Sequence, residues 1–138
     1  MRIIPWQRYI SLTTQNGGQY YPTNGAELTA ILRQIEQDGD KISVLIIKGH
    51  GDAELIETGP ELGDQLVAYD QILIGEQDVT TTLRNITGPG SQIKLRGCNT
   101  RPLADKVENK LDNGTEVYGS LTYIIGVPGT PWGIGAYR

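Results

Sequence analysis

Apolar and polar positions change their period several times along this chain. Near the start, Ile3, Ile4, Trp6, Tyr9, Ile10 and Leu12 lie close together. Pro5 has no N–H for a ladder, so the spacing predicts a strand from about Gln7 to Thr13. Gln15-Asn16-Gly17-Gly18 is a turn signal, because Asn and Gly accept positive φ. Gln19 to Thr23 is expected to return as a short extended piece. The period then lengthens. Leu28, Ile31, Leu32 and Ile35 follow at i, i+3, i+4 and i+7, one apolar face of a helix. Asn24 is placed to cap it, and Glu27 three residues on completes a capping-box spacing. Asp38-Gly39-Asp40 ends it.

The next run, Ile42-Ser43-Val44-Leu45-Ile46-Ile47, is apolar almost throughout. Bounded by turn signals, it predicts a strand buried on both faces. It stops at Gly49-His50-Gly51-Asp52. Glu54 to Thr58 and Gln65 to Ile74 are expected as two strands of a hairpin joined around Gly59-Pro60-Glu61-Leu62-Gly63. Asp78 is expected to cap a short helix through Val79, Leu83 and Ile86, closed by Gly88-Pro89-Gly90. Ile93 and Leu95 mark a second core strand, which stops at Gly97-Cys98-Asn99-Thr100. A third helix follows, with Pro102 in its first turn and Leu103, Val107 and Leu111 along one face. Asn113-Gly114 ends it, and Glu116-Val117-Tyr118 is a third core strand. Gly119 to Arg138, rich in Gly and Pro, is expected as loops around short strands. Strands alternating with helices predict an α/β fold with a mostly parallel sheet. No repeat or linker divides residues 1–138, so one domain is expected.

Composition narrows the chemistry. The 138 residues are 38% hydrophobic and 20% charged, enough for a core without staples. The net charge of −4 provides no global attraction to phosphate backbones, so nucleic acid is not an expected partner. There is one Cys, Cys98, and one His, His50. An internal disulfide is impossible, and a Cys/His zinc site would lack ligands unless carboxylates or a second chain completed it; the carboxylates are scattered, so neither metal nor cofactor is expected. No apolar run approaches the roughly 20 residues that span a bilayer, so membrane insertion is not expected. The expectation is a soluble domain, either cytoplasmic or delivered as part of a larger secreted protein.

The only His and the only Cys fall in the same kind of place. Each follows an apolar strand and adjoins Gly: Ile46-Ile47-Lys48-Gly49-His50-Gly51 and Ile93-Lys94-Leu95-Arg96-Gly97-Cys98. In an open parallel sheet, ligands bind at the carboxyl ends of the strands. Neighbouring parallel strands would therefore bring imidazole and thiol out at one edge. A thiol at its ordinary pKa is only a few per cent thiolate at pH 7, and an imidazolium or a helix N-terminus beside it raises that fraction. The helix expected to open at Arg101 or Pro102 supplies the second feature. An imidazole can also protonate a leaving amine. The backbone N–H groups of Gly51 and Cys98 are candidate oxyanion donors. A lone strand-end Cys is commonly a core residue. It is the coincidence of the two placements that points to a catalytic pair.

These residues resemble a family. A hydrophobic strand ending in His-Gly, then a second ending in Gly-Cys and leading into a helix, is similar to the caspase-like cysteine peptidases. The separation, 98 − 50 = 48 residues, is near the spacing of about 50 noted for caspases. The caspase pentapeptide Gln-Ala-Cys-x-Gly is absent. Leu95-Arg96-Gly97-Cys98-Asn99-Thr100, with Leu103-Ala104-Asp105-Lys106-Val107 and Val117-Tyr118-Gly119-Ser120, is more similar to the bacterial branches: autoprocessing domains of large toxins, CHAT-type domains and toxin effector domains. The resemblance covers about Ile42 to Ser120. It implies a three-layer α/β/α sandwich, His50 as base and acid, Cys98 as nucleophile, and Gly51 as the oxyanion-side glycine. It also implies a protein or peptide substrate, with a parent toxin, activator or inhibitor protein as further partners.

Other features carry less. Asp52 beside His50, and Asp64 or Asp70, would favour a basic P1 side chain, and Asp52 is equally suited to a turn. In the caspase-like arrangement Trp132 would wall the substrate cleft, though packing on the domain body is the plainer role. Gly133-x-Gly135 lacks a phosphate-loop spacing. An alternative to the peptidase is a catalytically inactive caspase-like interaction module. A third is an α/β enzyme holding phosphate in its tail, which requires Cys98 to be buried away from any cleft.

Overall fold

A computed structural model describes residues 8–121. The first strand, β1 (Tyr9–Thr14), buries alternate residues, Ile10, Leu12 and Thr14. A tight turn leads to β2 (Gln19–Tyr20), which pairs with it antiparallel. Helix α1 (Gly25–Gln37) starts at Asn24, whose side-chain oxygen accepts the Glu27 N–H at 2.8 Å. Glu27 reaches back to Thr23 rather than to Asn24, accepting its N–H at 2.7 Å and its hydroxyl at 2.9 Å. Leu28, Leu32 and Ile35 form the buried stripe.

Strand β3 (Ile42–Lys48) follows. Next come four short antiparallel strands of a second sheet: β4 (Leu55–Glu57), β5 (Gln65–Ala68), β6 (Ile72–Ile74) and β7 (Gln77–Asp78). The chain then forms α2 (Thr80–Ile86), β8 (Gln92–Arg96), α3 (Arg101–Leu111) and β9 (Glu116–Tyr118). The main sheet has the order β2-β1-β3-β8-β9.

This is a mixed α/β fold, and it differs from the expectation in four ways. The main sheet is not mostly parallel: β3–β8 and β8–β9 are parallel, while β2–β1 and β1–β3 are antiparallel. The run Gln65 to Ile74 is two strands, not one, folded over at Tyr69–Gln71, with the Tyr69 N–H on the Gln71 carbonyl. Polar Asp70 and Gln71 interrupt the apolar run there, and a turn tolerates them where a buried strand would not. Asp78 does not occupy the cap position of α2, which is Val79, although its carboxylate accepts the Thr80 N–H at 3.0 Å. Strand β3 is not buried on both faces.

One face of the main sheet carries the cross-strand pairs Ile10↔Ile47, Leu12↔Leu45, Leu45↔Ile93, Ile47↔Leu95 and Ile93↔Val117, all in the core. All three helices contribute to that same core, through Leu28, Leu32, Leu83, Ile86, Leu103, Val107 and Leu111. Crossovers between parallel strands are right-handed, and β3, β8 and β9 follow one another in one direction, so α2 and α3 fall on one face. On the other face Val44 and Ile46 are only half-buried, opposite Ser11, Thr13, Gln92 and Lys94. Among the described residues, the helices therefore form a single layer.

Candidate active site

The pairing of β3 with β8 brings the two candidate residues to one edge. Their parallel register ends at Lys48↔Arg96, and the Gly49 N–H extends the ladder onto the Arg96 carbonyl at 3.3 Å. His50 and Cys98 each stand two residues beyond that last pair. His50 is exposed and Cys98 is half-buried. The thiol is thus not sealed in the core, as the phosphate-tail alternative requires. The two chains remain close past the strand ends: a Cβ built on Gly97 would lie 2.8 Å from the Gly49 carbonyl oxygen. Only glycine permits that approach.

After His50 the chain doubles back onto β4. The His50 carbonyl accepts the Glu57 N–H at 2.8 Å, and the Leu55 carbonyl accepts the Asp52 N–H at 2.9 Å. These bonds flank the Gly51↔Ile56 bridge, and neither uses the Gly51 N–H. Among the described residues, the Gly51 N–H therefore takes no part in holding this bridge. Asp52 Oδ1 accepts the N–H groups of Glu54 at 2.8 Å and Leu55 at 3.0 Å, so the carboxylate shapes the turn that holds Gly51.

After Cys98 the backbone takes an unusual course. Asn99 has φ +54°, in the left-handed region. Asn is one of the few residues that tolerate it. Thr100 caps α3 by position, without a side-chain bond to the helix, and Pro102 stands in the first turn. The helix thus begins three residues after the thiol, and its N-terminal partial positive charge lies on the Cys98 side.

Asp64 and Asp70 are not brought to this edge as a pair. Asp64 accepts the Gly25 N–H at 3.0 Å and the Thr58 hydroxyl at 2.6 Å, tying the loop after β4 to the start of α1. Asp70 sits in the β5–β6 turn, and Trp132 lies outside the described residues. Two open depressions of about 400 and 390 Å³ flank Leu62–Asp64, and neither is lined by His50 or Cys98. Among the described residues no group of three His, Cys, Asp or Glu is placed to hold a metal ion. None of the helices there is long and apolar enough to cross a membrane.

The sequence did not single out Asn99 or Thr100 within Gly97-Cys98-Asn99-Thr100. The signal for Asn99 was available, since Asn following a strand-end Gly-Cys fits a left-handed turn. The part played by Thr100 depends on contacts with residues distant in the chain. Comparisons with protein-family models, curated proteins and solved structures found no match for this chain.

Proposed function

We propose that this chain is a cysteine peptidase domain of the caspase-like kind, with Cys98 as nucleophile and His50 as general base and acid. The observation that carries the reading is the parallel, in-register end of β3 and β8, which sets Gly-His-Gly and Gly-Cys side by side at the carboxyl edge of the sheet. The start of α3 on the Cys98 side, the half-exposed thiol and a Gly51 N–H that neither bond of its bridge uses support it. A caspase-like sandwich, with a second helical layer over the open face of the sheet, belongs to the same proposal. So does a role as an autoprocessing or effector domain of a bacterial toxin.

The chemistry runs in two halves. The Cys98 thiolate attacks the scissile carbonyl carbon, and the N–H groups of Gly51 and Cys98 receive the oxyanion. The C–N bond breaks as the His50 imidazolium gives its proton to the departing amine, leaving a thioester on Sγ. His50 then takes a proton from water, hydroxide adds to the thioester, and the thiolate departs.

The test is the rate of Cys98 alkylation by iodoacetamide against pH, in the wild type and in His50→Ala, followed by a peptide-library screen. A rate that stays high well below pH 8 and falls in His50→Ala is the expected result. Slow alkylation that ignores His50 would overturn the peptidase and leave the interaction module as the caspase-like alternative.

A further inference from the structure

Thr100 is fully buried, one of the few polar side chains in the core. Its hydroxyl hydrogen is shared between the Leu95 carbonyl at 2.8 Å and the Gly97 carbonyl at 3.1 Å. Its oxygen accepts the Ser120 N–H at 3.1 Å. Its methyl group occupies the space beside two of the site's glycines: a Cβ on Gly51 would lie 2.7 Å from Cγ2, and one on Gly97 3.1 Å from it. Its own carbonyl oxygen presses against Gly119, where a Cβ would come within 2.6 Å. One side chain therefore touches the ends of β3, β8 and β9 together. The hydroxyl spans the Cys98 turn, and the methyl abuts the residue that follows His50.

A buried hydroxyl that satisfies three backbone groups is costly to replace with carbon, and its geometry is correspondingly fixed. The left-handed Asn99, a conformation Asn tolerates, turns the chain sharply between Cys98 and Thr100, and the Thr100 bonds tie the far side of that turn to the end of β8.

We propose that Thr100 is the positioning residue of the site: its hydroxyl sets the Cys98 turn, and its methyl sets the distance between that turn and the His50 loop. The proposal rests on the peptidase reading above. Thr100 touches no substrate. It acts through Cys98 and Gly51.

The two halves of the side chain can be separated. Thr100→Val keeps the shape and removes the hydroxyl, whereas Thr100→Ser keeps the hydroxyl and removes the methyl. The readout is the pH profile of Cys98 alkylation, with the midpoint of thermal unfolding as a check on folding and His50→Ala as reference. In Thr100→Val the His50-dependent rate below pH 8 is expected to fall about tenfold or more, since a misplacement near 1 Å can cost on the order of 100-fold. Thr100→Ser, which keeps the hydroxyl bonds but loses the methyl between Gly51 and Gly97, is expected to lose a smaller part of that rate than Thr100→Val. A folded Thr100→Val with the wild-type profile would overturn the proposal and leave the peptidase reading standing. A wild type whose alkylation ignores His50 would overturn both.

Should Thr100→Val fail to fold, Gly51→Ala and Gly51→Ala/Thr100→Ser decide. The added methyl of Gly51→Ala collides with the Thr100 methyl, and Thr100→Ser removes the collision. Partial recovery of the profile in the double variant is expected, and strictly additive losses would overturn the positioning role.

Discussion

At the scale of single residues, two positions beside the thiol behave oppositely. Thr100 is held by partners, and Asn99 is tolerated because of what it is. Asn99→Gly should leave stability nearly unchanged. Asn99→Val should cost about 1–2 kcal/mol, because a branched side chain meets the carbonyl in the left-handed region. Chemical denaturation of both variants checks this. Ser91 is another buried knot. It is fully buried, donates to the Ile42 carbonyl at 2.6 Å and accepts the Gly88 N–H at 3.1 Å. Ser91→Ala should lose about 1–3 kcal/mol by the same measurement, since two buried backbone groups are left without partners. The placement of His50 and Cys98 at one sheet edge was legible in the sequence because they are unique and follow apolar strands. Thr100 and Ser91 were not, because a buried hydroxyl looks in sequence like any turn residue. Its partners lie 3 to 49 positions away.

Elements are stabilised at their ends by acidic side chains that accept N–H and O–H groups. The Thr23 N–H lowers the Glu27 carboxyl from its ordinary 4.5, the Thr14 hydroxyl lowers Asp40 from 3.8, and the Thr80 N–H lowers Asp78 from 3.8. A depressed carboxyl contributes stability that is fully present above its unfolded pKa. That contribution is lost as pH falls through the folded value. Stability should therefore decline below about pH 4.5, and the decline should be shallower in Glu27→Gln/Asp40→Asn/Asp78→Asn, as read from unfolding midpoints across pH 2 to 6. Asn24→Ala should cost α1 about 1 kcal/mol through loss of its cap. The three helices were legible because their 3.6-residue period and end signals are local. Pairing direction was not. Whether β1 lies parallel or antiparallel to β3 depends on which neighbour each strand finds, and an apolar hexapeptide reads alike in either case. The second sheet was only partly legible, since its strands are as short as Gln77–Asp78.

The whole molecule is organised around one ladder. Strands β3 and β8 are adjacent in space, yet the entire second sheet and α2 lie between them in sequence. Their register is set by backbone bonds and by the shared core of Leu45, Ile47, Ile93 and Leu95, not by the length of the intervening chain. Leu45→Ala should accordingly cost about 2–5 kcal/mol and loosen both strand ends at once. The intervening chain reaches the surface at Leu62, which is fully exposed. A cut there would leave the imidazole on one polypeptide and the thiol on another, held together without a covalent link by the β3–β8 and β4–β5 ladders, the Asp64 bonds to Gly25 and Thr58, and the core. The nicked protein should elute as one species in gel filtration and keep its wild-type alkylation profile. On dilution it should lose that profile with the concentration dependence of a heterodimer. One polypeptide would thereby become a split reporter, whose signal measures the association of its own two halves.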